Sequence, residues 1–365
     1  MSEFLITDIA GGVGYITLNR PRALNALDLT MVRGLTAVLR AWQSDSGVHA
    51  VAIRGSNKSG PFGNFCAGGD IRFFHEAALA GNPALEDFFT EEYALNHLIH
   101  SYSKPYIAFM DGVVMGGGMG ISQGASLRVV TGHTKMAMPE TNIGLFPDVG
   151  GGYFLSRCPG HYGEWLALTG DVISGGAAIN LGLADMGMDS AQLESAWQAL
   201  AQLDWQQAQP LQSWKYQYAQ ELPMGEIPQA ADCNAHFSKS SVADILQSLE
   251  SSEAPWAKHT TSVLRKRSPL MLHVVLEQVR RARTMDLAQD LRMERDMVRH
   301  CFFTAHLQRS GGASETVEGI RALAADKDHS PRWNPARAED VTPEMVLPFF
   351  TSPWPAHAHP LATLA

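Results

Sequence analysis

Across its first 190 residues the chain alternates short apolar runs with segments of helical periodicity, and that alternation constrains the fold more than any other feature. Val13–Leu18 is one such run, closed by Asn19-Arg20-Pro21, where proline withholds the amide a strand ladder needs. Asp28 then precedes Val32, Leu35, Val38, Leu39 and Trp42, which fall on one helical face behind a side chain suited to an N-cap. Ala50-Val51-Ala52-Ile53 reads as a buried strand. A polar loop over 56–64, a helix over 85–99 and a strand at Tyr106–Met110 follow. Parallel strands need crossovers long enough to hold a helix, so this order predicts an α/β core with parallel pairing.

Past residue 190 the pattern changes. The stretch Trp205-Gln206-Gln207-Ala208-Gln209-Pro210-Leu211-Gln212 carries no strand signal. Val274, Val275, Gln278, Val279, Leu287, Leu291 and Met297-Val298 restore a long amphipathic helical pattern. At 365 residues, two or three structural units are expected. The division predicted is an α/β core with the active site at 1–190, a Gln-rich connecting segment at 191–229, a helical region at 230–345 and a loosely ordered tail at 346–365. His357 and His359 in that tail lack acidic or thiol company, so no metal site is expected there.

Several classes of function fall away on charge and spacing. Twenty-eight Lys and Arg against 37 Asp and Glu give a net charge of −9, a poor balance for gripping a phosphate backbone, so no nucleic-acid partner is expected. The four cysteines, at 66, 158, 233 and 301, form no Cys-x-x-Cys pair, which fits a reducing compartment. The first 19 residues carry acids and no base, unlike a signal or transit peptide, and no run is apolar enough for a membrane span. A cytoplasmic protein with no membrane partner is the expectation.

Three glycine clusters concentrate the chemistry: Cys66-Ala67-Gly68-Gly69-Asp70, Met115-Gly116-Gly117-Gly118-Met119-Gly120 and Asp148-Val149-Gly150-Gly151-Gly152. None fits a dinucleotide fingerprint, because Ile121 and Leu155 stand where the last glycine would be, and no phosphate loop ending in Gly-Lys-Ser/Thr occurs. Nicotinamide and nucleotide-hydrolysis chemistry lose their usual support. Consecutive glycines do let backbone N–H groups face a cavity unobstructed, and two such loops can together hold an oxyanion.

The motifs Asn19-Arg20-Pro21, Asn25-Ala26-Leu27, Cys66-Ala67-Gly68-Gly69-Asp70-Ile71 and Asp111-Gly112 through Gly118 resemble the crotonase (enoyl-CoA hydratase/isomerase) superfamily. The run from Met138-Pro139-Glu140 to Gly152-Tyr153-Phe154-Leu155 resembles its 3-hydroxyisobutyryl-CoA hydrolase branch. So do Glu91-Glu92-Tyr93, Glu318-Gly319-Ile320-Arg321-Ala322 and Pro331-Arg332-Trp333. The likeness spans roughly residues 5 to 345 and is weakest at 190–230. It implies a spiral of ββα units followed by a helical C-terminal region, an acyl-CoA substrate and thioester hydrolysis, with no cofactor beyond the CoA of the substrate. It also implies that Gly69 and Gly117 supply the oxyanion amides and that Glu92, Glu140 and Asp148 surround the acyl group. Hydratases carry a glutamate three residues after the middle glycine; Gly120 stands there instead, and Asp148 replaces a small residue. The superfamily often assembles as trimers, but the altered C-terminal half leaves a homo-oligomer open.

Glu140, beside a proline in an apolar run, suits a general base for water or a direct nucleophile, and Asp148 suits holding water or the substrate's 3-hydroxyl. A capping or surface acid is the plain alternative for Glu140, and a turn residue for Asp148. Arg22 and Arg72 are candidates for the CoA phosphates, with solvated surface arginine as the simpler reading. Gly120-Ile121-Ser122-Gln123-Gly124 fits a serine-esterase elbow in letters, yet Ser122 should fall inside the helix the glycines open, not at the apex of a strand–turn–helix. Hydratase or isomerase activity on the same fold is the stronger competitor.

Overall fold

The computed structural model describes residues 3–58 and 60–364; Met1, Ser2, Ser59 of the polar loop and Ala365 lie outside it. Strands β1 (Leu5–Ala10) and β2 (Val13–Leu18) pair antiparallel as a hairpin. From β2 the ladder runs parallel through β3 (Ala50–Gly55) and β4 (Tyr106–Met110). After β5 (Val113–Met115), β6 (Leu127–Thr131) continues the ladder. After β7 (Lys135–Ala137) and β8 (Ile173–Ser174), β9 (Met186–Met188) closes its far edge. The second sheet has the order β5-β7-β8. Each pair, β4–β5 and β6–β7, therefore places its first strand in the large sheet and its second in the small one. Gly117–Gln123 is the helix after β5. Stacking such repeats in parallel generates the expected spiral of ββα units.

The chain forms two compact units that interleave in sequence. One comprises Met1–Gly69, Ala94–Ala137 and Val172–Ile227 and contains all the strands among the described residues. Its packing follows from the two-residue period of a strand. Val13 and Tyr15, Ala50 and Ala52, Ile107 and Phe109, Leu127 and Val129, and Met186 and Met188 point to one face and share one buried cluster. Trp197, Trp214 and Tyr218 seal that cluster. They come from the Gln-rich stretch, which folds into the helices Leu193–Ala199 and Leu211–Tyr218. The glutamines obscured this, because three aromatics carry the packing and the polar residues between them stay exposed. On the opposite face the helix Leu29–Ser44, capped by Asp28 as expected, lays Trp42 against Gly14.

The other unit comprises Asp70–Tyr93, Met138–Asp171 and Pro228–Ala365 and is built from helices and turns. Within it Pro269–Ala282 packs on Gly151–Leu155 and Tyr162–Thr169, and Leu287–Phe302 packs on Gly151–Leu155. The tail departs from expectation. Leu361 is buried, and His359 lies 3.3 Å from Asp296 and against the Trp354 ring. A short proline-punctuated segment gains order here from tertiary contacts that no periodicity announces. No helix of the described residues is long and apolar enough to cross a membrane.

Candidate active site

In the sheet unit, backbone hydrogen bonds lock two glycine loops side by side. Cys66 bridges Val114 in parallel, with its amide donating to the Val113 carbonyl (3.0 Å) and its carbonyl accepting from the Met115 amide (3.0 Å). Gly68 and Gly116 both take positive φ (100° and 49°), a region that excludes most side chains. A Cβ on Gly118 would meet the Cys66 carbonyl oxygen at 2.3 Å, so the close approach itself requires glycine. Gly117 opens its helix, and first-turn amides have no intrahelical acceptor. The Asn25 motif braces this arrangement. Its buried side chain donates to the Ser56 and Asn64 carbonyls (3.0 and 2.7 Å), while the Leu27 amide donates to the Gly68 carbonyl (2.8 Å). Asn25 is thus a scaffold beside the loop that carries Gly69.

In the helical unit the structure gathers Glu92, Glu140 and Asp148. All three are buried, with Glu92 2%, Glu140 7% and Asp148 5% exposed, which removes the surface-acid reading. Glu92 lies on the helix Ala84–His100, Glu140 opens a short 3₁₀ turn at Glu140–Ile143, and Asp148 precedes the third glycine cluster. Burial pushes the Glu92 carboxyl well above its ordinary range, and the charges of Asp148 and Glu140 push it further. Glu140 is raised by burial and then by Asp148. Asp148 is pushed up to about 7 by burial, against the pull of a hydrogen bond from Tyr93. That bond, Tyr93 Oη donating to Asp148 Oδ2 at 2.8 Å, was not foreseen, although Tyr93 stands beside Glu92 in the motif. Glu92 Oε1 and Glu140 Oε2 accept from no described group. Such oxygens are costly to bury and available to a substrate or water.

Two residues, Glu294 and Asp290, escaped the sequence reading altogether, and Gln278 entered it only as a member of the helical stripe. Glu294 Oε2 accepts from the Gly150 amide (2.7 Å) and Glu294 Oε1 from the Gly152 amide (3.0 Å). Asp290 Oδ2 accepts from Tyr153 (2.8 Å), and Gln278 Nε2 donates to the Pro147 carbonyl (2.6 Å). The amides of the third glycine cluster are therefore taken up by a carboxyl of the protein itself. Ser122 lies inside the helix, as expected, with its buried hydroxyl donating to the Gly118 carbonyl (2.8 Å), and not at the apex of a strand–turn–helix. Gly120 is buried in the same helix and offers no carboxylate. Arg22 and Arg72 are both exposed.

Residues 13–350 match the Enoyl-CoA hydratase/isomerase family, and the chain belongs to it. Within that family it is similar to the mitochondrial 3-hydroxyisobutyryl-CoA hydrolases of Xenopus tropicalis and Homo sapiens. The first is 39% identical over 356 residues and the second 36% over 357, each match covering 96% of this chain and 89% of the relative. Among solved structures it resembles a carnitinyl-CoA dehydratase from Mycobacterium thermoresistibile (TM-score 0.86, 37% identity, 97% of this chain and 98% of that one). It also resembles an enoyl-CoA hydratase from Rhodobacter sphaeroides (TM-score 0.83, 33% identity, 96% and 98%). The relatives' names place them in mitochondria, so the cytoplasmic expectation draws no support from them.

Proposed function

We propose that this protein hydrolyses 3-hydroxyisobutyryl-CoA to 3-hydroxyisobutyrate and CoA, a step of valine breakdown. One observation carries the reading: three buried carboxyls, two with an unpartnered oxygen, in a chain whose curated relatives bear that hydrolase name. A thioester needs a nucleophile at its carbonyl carbon and a place for the oxyanion, while its thiolate leaves readily. The amides of Gly69 and Gly117 are assigned the oxyanion. Glu140, its basicity raised by burial, takes a proton from water as the water oxygen bonds to the carbonyl carbon. Collapse of the tetrahedral adduct breaks the C–S bond, and the proton passes to the departing thiolate. Direct attack by Glu140, giving an anhydride that water then opens, uses the same residues. Asp148 and Glu92 hold the acyl group, Asp148 through the 3-hydroxyl. CoA enters as part of the substrate, and neither a metal nor a nicotinamide is called for by this chemistry.

Hydration of an enoyl-CoA is the second reading, favoured by the likeness to a carnitinyl-CoA dehydratase and an enoyl-CoA hydratase. Gly120 argues against it, since the second water-handling carboxylate of the hydratase pattern is missing there. Free-thiol release from a panel of acyl-CoAs, run beside hydration of crotonyl-CoA, separates the two. Thiol release strongest with 3-hydroxyisobutyryl-CoA supports the hydrolase. Hydration faster than thiol release overturns it.

A further inference from the structure

We propose that Glu294, with Gln278, is a positioning residue for hydrolysis, fixing the loop that presents Asp148. This rests on the role given to Asp148 above. The backbone on both sides of Asp148 is tied to one buried node. On one side Gln278 Nε2 donates to the Pro147 carbonyl (2.6 Å) and to Glu294 Oε1 (3.1 Å). On the other the Gly150 and Gly152 amides converge on the two oxygens of Glu294 at 2.7 and 3.0 Å. Between them Val149 adopts φ 58°, a left-handed conformation that a β-branched residue takes only when its surroundings impose it. Glu294 is wholly buried on the helix Leu287–Phe302 and meets no arginine or lysine at hydrogen-bond distance among the described residues.

Packing alone does not call for a carboxyl in that place. Only a carboxyl offers an acceptor on each of two terminal oxygens; an amide of equal size would turn an NH₂ toward one of the glycine amides. Glycine at 152 is part of the same fit, because a Cβ there would meet Asp290 Oδ1 at 2.4 Å. Asp148 is therefore held twice. Tyr93 grips its side chain (2.8 Å) and the Glu294 node grips its backbone. Loosening the node lets Asp148 turn away from the acyl group without removing any group that touches substrate.

The test is a double-mutant cycle on the full-length protein, reading thiol release from 3-hydroxyisobutyryl-CoA for Glu294→Gln, Asp148→Asn and the pair. Glu294→Gln should lower kcat on the order of 10- to 100-fold, the scale of a misplaced group, and amide exchange at Gly150 and Gly152 should accelerate. In the Asp148→Asn background the same change should cost less than about twofold, since the residue acts through Asp148. Gln278→Met, which keeps volume and drops the donor to Pro147, should show a smaller loss with the same non-additivity, and it serves should Glu294→Gln not fold. A folded Glu294→Gln enzyme with parental kcat, or losses that multiply in the double variant, overturns the positioning role alone. An Asp148→Asn enzyme as active as the parent overturns the role of Asp148, and this inference with it.

Discussion

The helical unit holds two groups of buried acids that look alike and differ in what surrounds them. Glu92, Glu140 and Asp148 form one; Asp290 and Glu294 form the other. Burial lifts both groups, with Asp148 and Asp290 each pushed up to about 7. In the second group three of the four oxygens accept backbone amides, and Asp290 Oδ1 alone accepts from no described group. In the first, Glu92 Oε1 and Glu140 Oε2 accept from no described group, and Tyr93 alone donates to Asp148 through a side chain. A shifted carboxyl thus does not by itself mark chemistry. The pair, tied by backbone amides on both of its members, holds structure, and the trio, which no glycine amide of that loop engages, is poised to receive a ligand.

The sharpest break in this comparison is Glu140→Gln, which preserves shape and removes the base. On the proposed role, kcat for thiol release falls on the order of 10²-fold or more while CoA binding survives; a folded variant with near-parental turnover would place the base elsewhere. A pH profile comes next. A base must be unprotonated to work, and burial and then the charge of Asp148 raise Glu140, so kcat should be lost on an acid limb lying well above the ordinary carboxylate range and reach a plateau above it. The limb should drop about tenfold per pH unit. Asp290→Asn removes an acid lifted in the same direction but outside the trio, so the limb should keep its position. A limb that moved would merge the two groups.

Smaller effects test burial itself. Glu92 is raised in the folded state, so what it contributes to stability is present below its unfolded value and lost as pH rises through the folded one. Glu92→Gln should therefore raise the melting temperature more at pH 8 than at pH 5, by roughly 2 °C for each kcal/mol relieved. An equal shift at both values would mean that folding leaves the ionisation of Glu92 where it is in the unfolded chain. Ser122→Ala should change thiol release least, by less than about twofold, because its hydroxyl only closes a turn of its own helix. A loss matching that of Glu140→Gln would revive the serine reading.

What could be read in the sequence divides along similar lines. Val13–Leu18 and Tyr106–Met110 were legible as strands, and Asp28 as a cap, because local pattern dictates each of them. The glycine turns and the trio were legible through motifs, whose letters preserve chemistry across a long span of chain. Asp290 and Glu294 were not, and of Gln278 only its place on the helical stripe was. They sit within the very helices read from Val274, Val275, Leu287 and Leu291, and an apolar stripe leaves the polar residues beside it looking solvent-facing. Only the partner surface, the amides of a glycine loop more than a hundred residues earlier, turns those positions inward. Trp197 and Trp214 were hidden differently, inside a glutamine-rich stretch whose composition suggested a connector.

The bond from Tyr93 to Asp148 makes the protein its own optical gauge. The phenol is wholly buried and its ionisation is pushed well above the ordinary value by that burial, so it keeps its proton throughout the neutral range. Its near-ultraviolet absorption nonetheless depends on whether the oxygen it donates to is charged. A difference spectrum between the parent and Tyr93→Phe, followed from pH 5 to 9, would trace the charging of Asp148 in the resting protein. Occupancy by a non-hydrolysable thioether would then show as a displacement of that curve, observed through a chromophore already in place.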